Sequence, residues 1–228
     1  MKDYLQYNSE YWQKGYEAEN VEGFVFRPYG RIFKFEFGID GSRNERLLDW
    51  GCGWGAALRF FKSKGFDVYG VDISRVHIQR CKAIMPDIAD HFELIDPEPN
   101  EQHLFFGGNF DLVIAIQSLY YLSDTHLKMC LKSLYNSMRP GGIIYATMMG
   151  VRHYYYQYSE EYQDGLRKVE FNLPRLQLKN YFVNFTLSEE QLLEKFGLFR
   201  RYHVGYYDAK YREDEGSSFH YTFVGQKI

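Results

Sequence analysis

The fold is decided by one stretch of the sequence, Leu47-Leu48-Asp49-Trp50-Gly51-Cys52-Gly53-Trp54-Gly55-Ala56-Ala57. Apolar residues at its start predict a buried strand, and glycines then alternate with larger residues before an amphipathic helix begins. Glycines let a ligand approach the backbone closely, and the first turn of a helix offers unpaired N–H groups. We therefore expect this turn to bind a small ligand that contains adenosine.

The composition is typical of one globular domain in the cytoplasm. A chain of 228 residues is long enough to bury a full core, and its formal net charge of −3 gives no basic field for nucleic acid or anionic membrane. No apolar run approaches the roughly 18 residues of a membrane span, and the first residues lack the apolar core of a signal peptide. Three cysteines, Cys52, Cys81 and Cys130, form no closely spaced pair and indicate reduced thiols.

Strands and helices alternate regularly after Glu45. Predicted strands cover residues 46–50, 67–71, 92–95, 110–116 and 143–147, with helices between them. Such alternation predicts a parallel sheet with helices on both faces. Two later strands, at 199–207 and 218–226, have no helix between them and predict a hairpin. The expected fold is therefore α/β, with a doubly wound, mostly parallel seven-stranded sheet and an antiparallel C-terminal hairpin.

The chain is expected to form a single domain in four parts. These are an N-terminal cap (1–44), a cofactor-binding core (45–150), an insertion over the carboxyl edge of the sheet (151–187), and a final helix with the hairpin (188–228). Ser188 begins a capping box that predicts the start of this final helix.

The cap is expected to begin with an amphipathic helix before Gly15. Residues 32–37 within the cap fit either a strand or a helix, and we favour the helix. The first helix is predicted from four aromatic residues that recur at helical spacing: Tyr4, Tyr7, Tyr11 and Trp12.

Two classes of cofactor fit the glycine stretch. Gly51, Gly53 and Ala56 match a dinucleotide fingerprint, and Asp72 follows where a ribose-binding acid belongs, so an NAD(P)-dependent oxidoreductase is an alternative. Asp49 argues against it, because a carboxylate there would crowd a pyrophosphate but would hold a cation. The terminal hairpin also replaces the second mononucleotide-binding half of a dinucleotide fold.

The ordered motifs resemble those of class I S-adenosylmethionine-dependent methyltransferases. Their first motif, Asp/Glu-x-Gly-x-Gly-x-Gly, is matched by Asp49, Gly51, Gly53 and Gly55. Four further features match in the same order, namely Asp72 after the second strand, Asp96 after the third, Phe110-Asp111 at the fourth and Pro140-Gly141-Gly142 before the fifth. The resemblance covers residues 45–150 and extends to the final hairpin.

This resemblance implies S-adenosylmethionine as cofactor and assigns a role to each matched residue. The glycines at 51, 53 and 55 would pass under the methionine part, and Asp49 would organise the loop or receive the amino group. Asp72 would bind both ribose hydroxyls through charge-assisted hydrogen bonds. The remaining roles are Ile73 packing on adenine, Asp96 meeting its exocyclic amine, and Gln117 lying near the transfer site.

The candidate catalytic residues are His153 and Tyr121. Similar enzymes often carry a histidine near the position of Tyr121, and without it His153 is the best remaining general base. The Asn/Asp-Pro-Pro-Tyr/Phe motif of enzymes that methylate nucleobase amino groups is absent, so transfer to oxygen is favoured. No Asp-Asn pair follows the fourth strand, as it would in magnesium-dependent catechol-type enzymes, and no metal is expected.

The acceptor is expected to be a small polar metabolite, anionic or a sugar, held by the flanking segments. The tyrosine-rich flanks also resemble those of bacterial methyltransferases that modify surface-polysaccharide precursors. The alternatives are that the arginines are solvated surface charges and that the chain is a catalytically silent, cofactor-binding partner subunit. The candidate acceptor-binding residues are Tyr11, Arg27, Arg31, Arg152 and Tyr154.

Overall fold

The structure is a computed structural model that describes residues 3–13, 22–173, 176–212 and 216–228. Its helices are α1 (Tyr4–Gln13), α2 (Gly23–Pro28), α3 (Lys34–Glu36), α4 (Ala56–Lys62), α5 (Arg75–Ile84), α6 (Asp124–Ser137) and α7 (Glu189–Lys195). A π-helical turn, Tyr29–Phe33, joins α2 to α3, and 3-10 turns occur at Pro86–His91, Phe105–Gly107, Leu119–Tyr121 and Tyr156–Tyr158.

Ten strands form two sheets. They are β1 (Arg46–Trp50), β2 (Asp67–Asp72), β3 (Phe92–Leu94), β4 (Phe110–Ala115), β5 (Met138–Met149), β6 (Ser159–Glu161), β7 (Arg167–Leu173), β8 (Leu176–Val183), β9 (Arg200–Tyr207) and β10 (His220–Gln226).

The main sheet has seven strands in the order β3-β2-β1-β4-β5-β10-β9. Strands β1 to β5 run parallel, with Asp49 of β1 beside Gly70 of β2 and Ile114 of β4. β10 pairs antiparallel with both β5 and β9. The expected doubly wound sheet and its antiparallel hairpin are confirmed. The strand order reverses between β1 and β4, which creates a crevice at their carboxyl ends.

Each central strand buries both of its faces. Leu48, Val113 and Ile144 pack with the helices α6 and α7, whereas Leu47 and Leu112 pack with the cap, α4 and α5. Neighbouring residues of a strand point to opposite faces, so consecutive apolar residues belong to two separate cores. This two-sided burial explains why these strands are continuous apolar runs rather than alternating ones.

The cap agrees with the sequence prediction where it is described. α1 covers the predicted aromatic helix, although Gly15 lies outside the described residues. The ambiguous residues 32–37 are helical, in the π-helical turn and α3, and the Phe33 side chain is fully buried. The capping residue Ser188 accepts a hydrogen bond from the backbone N–H of Gln191, as predicted for the start of α7.

The segment 151–187 contains regular structure that the sequence analysis did not predict. β6, β7 and β8 form a separate antiparallel sheet of three strands. Helix α1 packs on the edge of this sheet. There, Asn8 Nδ2 donates to the backbone oxygen of Phe182 at 3.0 Å, and Asn8 Oδ1 accepts from the backbone N–H of Phe182 at 3.1 Å. The insertion and the N-terminal helix therefore form one connected layer.

In the part of the chain that the structure describes, every helix is too short or too polar to cross a membrane.

Candidate functional site

A cleft of about 880 Å³ opens at the carboxyl ends of β1, β2 and β4. Its floor is the glycine turn between β1 and α4, and its walls come from α1, α2 and the end of β9. This is the crevice that the reversal of strand order creates, where ligands bind in open α/β sheets. The predicted site residues that line it are Arg27, Arg31, Asp49, Gly51, Gly53, Asp72, Ile73, Gln117 and Tyr121.

Two of the three glycines are required by the shape of the floor. Gly51 has a φ of +78°, and a Cβ atom there would lie 2.4 Å from the Cβ of Ser118. Gly53 has a φ of +51°, and its N–H donates to Asp72 Oδ2 at 2.8 Å. Gly55 does not line the cleft; a Cβ there would lie 3.0 Å from Cys81 Sγ, so it permits close packing of α4 against α5.

Asp72 ends β2 and is almost fully buried. Its carboxylate accepts hydrogen bonds from the N–H of Gly53 and the N–H of Ser74, each at 2.8 Å, and contacts Nδ1 of His77 at 3.3 Å. A carboxylate has about four lone-pair positions, so these three contacts leave one position free to accept a hydrogen bond from a ligand. The resemblance implies two hydrogen bonds from the ribose. Asp72 therefore fixes the glycine turn as well as facing the cleft.

Asp49 is buried at the end of β1, where burial, and then the neighbouring charge of Asp72, raise its pKa to about 8. None of the described residues donates a hydrogen bond to its side chain. Desolvation disfavours the carboxylate, and a cation placed beside it would restore the charged form. A cationic ligand group fits this position because it would compensate the electrostatic cost of burying this carboxylate.

The segment after β4 carries polar and phenolic groups that line the cleft. The backbone N–H of Gln117 donates to Thr147 Oγ1 at 2.7 Å, and its Nε2 donates to Tyr207 Oη at 2.9 Å. The hydroxyls of Tyr121 and Tyr181 lie 2.5 Å apart. Burial raises the pKa of Tyr121 well above its usual value, so this phenol is neutral at pH 7 and acts as a hydrogen-bonding group rather than a base.

His153 lies away from the cleft, so the structure does not place the predicted base at the site. It is buried, stacks on Tyr154 at 5.0 Å, and its Nδ1 accepts a hydrogen bond from the backbone N–H of Tyr155. Burial, and then the nearby His220, lower the pKa of His153 to about 3. The ring is therefore a neutral part of the core, and Tyr154 is also outside the cleft lining.

Three further predicted residues are also outside the cleft lining. Asp96 accepts a hydrogen bond from the backbone N–H of Glu98 and borders a smaller cavity of about 300 Å³, although its neighbour Ile95 lines the main cleft. Arg152 pairs with Asp208 at 3.6 Å. Tyr11 packs against another tyrosine ring at 4.9 Å. Asp96 thus stabilises the turn that it begins, and Arg152 and Tyr11 support the walls of the cleft.

Sequence reasoning missed several residues that line the cleft. His77 had a signal, since it lies five residues after Asp72 at the start of the helix predicted between the second and third strands, and Trp54 stands within the glycine stretch itself. Phe24 and Tyr207 had none, because only the folded chain brings the cap against the terminal hairpin. The rings of Phe24 and Tyr207 stack at 4.7 Å with an interplanar angle of 16°.

Two arginines provide positive charge at the mouth of the cleft. Arg27 and Arg31 are four residues apart in the helical segment 23–36, and both line the cleft with exposed side chains. Among the described residues, no group of three or more histidine, cysteine, aspartate or glutamate side chains is arranged to hold a metal ion.

A family model described as a methyltransferase domain matches residues 21–199, well over half of the chain. The chain therefore belongs to the methyltransferase-domain family. The match confirms the resemblance to class I S-adenosylmethionine-dependent methyltransferases, and it favours this class over the NAD(P)-dependent alternative.

The curated relatives match part of the chain, and their names state different substrates. A malonyl-[acyl-carrier protein] O-methyltransferase from Enterobacter lignolyticus is 31% identical over 114 residues, which cover 49% of this chain and 41% of that protein. The matched stretch spans less than half the length of the curated relatives.

Two solved structures are similar over nearly the whole chain. Magnesium protoporphyrin IX methyltransferase from Synechocystis PCC 6803, solved with S-adenosylmethionine, has a TM-score of 0.61 at 14% identity and covers 100% of this chain and 99% of that one. An N-methyltransferase from Bradyrhizobium japonicum WM9, in complex with S-adenosyl-L-homocysteine, has a TM-score of 0.61 at 11% identity, covering 99% of each chain. At these identities the similarity establishes the fold.

Proposed function

We propose that the chain transfers a methyl group from S-adenosylmethionine to an oxygen atom of a small anionic metabolite, without a metal ion. The observation that carries the proposal is the cleft at the switch point, where a glycine turn lies between the buried carboxyl groups of Asp49 and Asp72. The family of the chain supports the same conclusion.

In this proposal the cleft floor binds the cofactor. Asp49 receives its ammonium group, which offsets the desolvation that raises the pKa of this carboxyl to about 8. Asp72 accepts from the ribose, and Gly51 and Gly53 let the chain of the cofactor approach the backbone. Ile73 and Ile95 flank the adenine side of the cleft, whereas Gln117 lies on the transfer side.

The acceptor is proposed to be a carboxylate. Arg27 and Arg31 lie at the cleft mouth and provide planar, permanently charged donors for an anion. A carboxylate oxygen needs no general base before it attacks a methyl carbon, which fits a cleft that His153 does not reach. The name of the Enterobacter relative, an O-methyltransferase, is consistent with this choice of atom.

When bound, S-adenosylmethionine supplies an electrophilic methyl carbon on a positively charged sulfur. The residues of the chain contribute by orienting the acceptor behind that carbon, because in-line placement is the main requirement of such a displacement. The aromatic walls and helix α1 line the cleft beside the floor. No proton has to be moved by the protein if the attacking oxygen is already ionised.

Two experiments together test the proposal: calorimetry with S-adenosylhomocysteine and a methylation assay with a panel of acceptors. We expect S-adenosylhomocysteine to bind. We also expect carboxylate acceptors to yield alkali-labile methyl esters, and the matched amides, which serve as controls, to remain unmodified. Failure to bind at millimolar concentration, or binding of NADH instead, would contradict the cofactor. Binding without methylation of any acceptor would favour the partner-subunit alternative.

A further inference from the structure

Gln117 has an unusual backbone conformation just beyond the carboxyl end of β4. Its φ is +54°, in the left-handed region that residues with a side chain rarely adopt. Its N–H donates to Thr147 Oγ1, and Thr147 is fully buried in β5. Such a conformation is energetically unfavourable and persists only where its surroundings enforce it. The fold therefore sets the position of this side chain.

A tyrosine from the terminal hairpin orients the Gln117 amide. Nε2 of Gln117 donates to Tyr207 Oη at 2.9 Å. An amide whose nitrogen is held in this way directs its oxygen, Oε1, to the other side of the group. No described residue donates a hydrogen bond to Oε1, and Gln117 lines the cleft. This oxygen is therefore available to a ligand.

Tyr207 is itself held between two other rings. Phe24 stacks on it at 4.7 Å and 16°, and His220 stacks on it at 5.0 Å and 10°. Tyr145 Oη donates to the backbone oxygen of Phe24 at 3.0 Å, which ties the cap to β5. The Tyr207 hydroxyl thus has little freedom to move, and it belongs to a stack that joins α2 to β9 and β10.

From this geometry we infer that Tyr207 is a positioning residue, which orients the Gln117 oxygen toward the methyl group of S-adenosylmethionine. The inference rests on the proposed function, because that proposal places the cofactor on the cleft floor. The C–H bonds of a sulfonium methyl group are polarised and donate weakly to an amide oxygen. Such a contact fixes the direction of the methyl group for in-line attack.

The inference is tested with two ligands that differ at the transfer position. S-adenosylhomocysteine has no group there, whereas sinefungin carries an amine in place of the sulfonium methyl, and this amine is a strong donor to Oε1. The ratio of their dissociation constants therefore measures the interaction of the amine with Oε1 of Gln117. A general loss of structure would weaken both ligands and leave this ratio unchanged.

The variants are Tyr207→Phe, Gln117→Leu, the double variant, and Tyr202→Phe as a matched control. Tyr202 lies on the same strand and its hydroxyl bonds to Gln226, outside the cleft. Each single cleft variant should raise the dissociation constant of sinefungin about 3- to 10-fold, which is the effect of one hydrogen bond. The dissociation constant of S-adenosylhomocysteine should stay within twofold of the wild-type value. The double variant should lose no more than Gln117→Leu, because both changes remove one interaction.

An unchanged ratio in Tyr207→Phe would overturn the inference, whether or not Gln117→Leu changes it. Equal weakening of both ligands by Tyr207→Phe would also overturn it, since the ratio would then be constant. If wild-type protein binds neither ligand, the proposed function fails along with the inference. Binding of S-adenosylhomocysteine by wild type with an unchanged ratio in the variants rejects the inference alone.

Discussion

The buried carboxyl group of Asp49 makes a prediction that links stability to ligand binding. Burial raises its pKa from 3.8 to about 8, so the folded protein keeps a proton there that the unfolded chain releases near pH 4. Between these values the folded state binds one proton more than the unfolded state, and the free energy of unfolding falls by about 1.4 kcal/mol per pH unit. This contribution is complete below pH 4 and is lost as the pH rises toward 8.

The substitution Asp49→Asn removes the titration while keeping the size of the side chain. Integration from the unfolded pKa gives an upper limit of about 4 kcal/mol by which the variant is more stable at pH 7. Between pH 6 and pH 8 the stability advantage of the variant should grow by about 2 kcal/mol. Urea denaturation of both proteins at several pH values measures it.

The same variant should lose affinity for S-adenosylhomocysteine, because the amide no longer provides a charge for the ammonium group. Calorimetry of the wild type at pH 7, in buffers of different ionisation enthalpy, should show release of a proton on binding. A stability difference that stays constant between pH 6 and pH 8 would refute the raised pKa. Unchanged affinity in the variant would refute the contact between Asp49 and the cofactor.

Four other substitutions give separate tests. Asp72→Ala should weaken S-adenosylhomocysteine more than about tenfold, measured by calorimetry, since it removes the ribose contact and the anchor of the glycine turn; wild-type affinity would contradict that role. Arg27→Gln and Arg31→Gln should each raise KM for a carboxylate acceptor about 3- to 10-fold without changing cofactor affinity, and an unaltered KM would show that these arginines are solvated charges. His153→Gln should lower the free energy of unfolding by about 1–3 kcal/mol, because the ring is buried, while the pH profile of kcat stays that of wild type. Loss of the low-pH fall in kcat from that profile would restore His153 as the base.

The core of the fold was predictable because its signals are local. The strand β1, the glycine turn and helix α4 are encoded within 17 residues, from Arg46 to Lys62, and Ser74, the N-cap of α5, stands two residues after the end of β2. Each feature depends on neighbouring residues, so its pattern survives in the sequence. The same locality made the positions of Asp49 and Asp72 at strand ends predictable before the sheet was known.

The rest depended on contacts between distant parts of the chain. In the sheet of β6, β7 and β8, β6 has only three residues, and the pairing of β7 with β8 shifts register near Asn180, whose φ is +53°, so the alternation is short and interrupted. Tyr207 contacts Gln117 across 90 residues and Phe24 across a longer separation. His153 was predicted as a base because it follows β5, but only the packing around it shows that its ring is enclosed.

The bond between Asn8 and Phe182 has a consequence for the behaviour of the protein in solution. β8 is an outer strand of its sheet, and outer strands expose backbone groups that can pair with another molecule and start aggregation. The Asn8 amide accepts from the N–H and donates to the carbonyl of Phe182, as a neighbouring strand would. Helix α1 therefore also covers part of an outer strand edge, so the segment that forms a wall of the cleft also pairs backbone groups through which another strand could add.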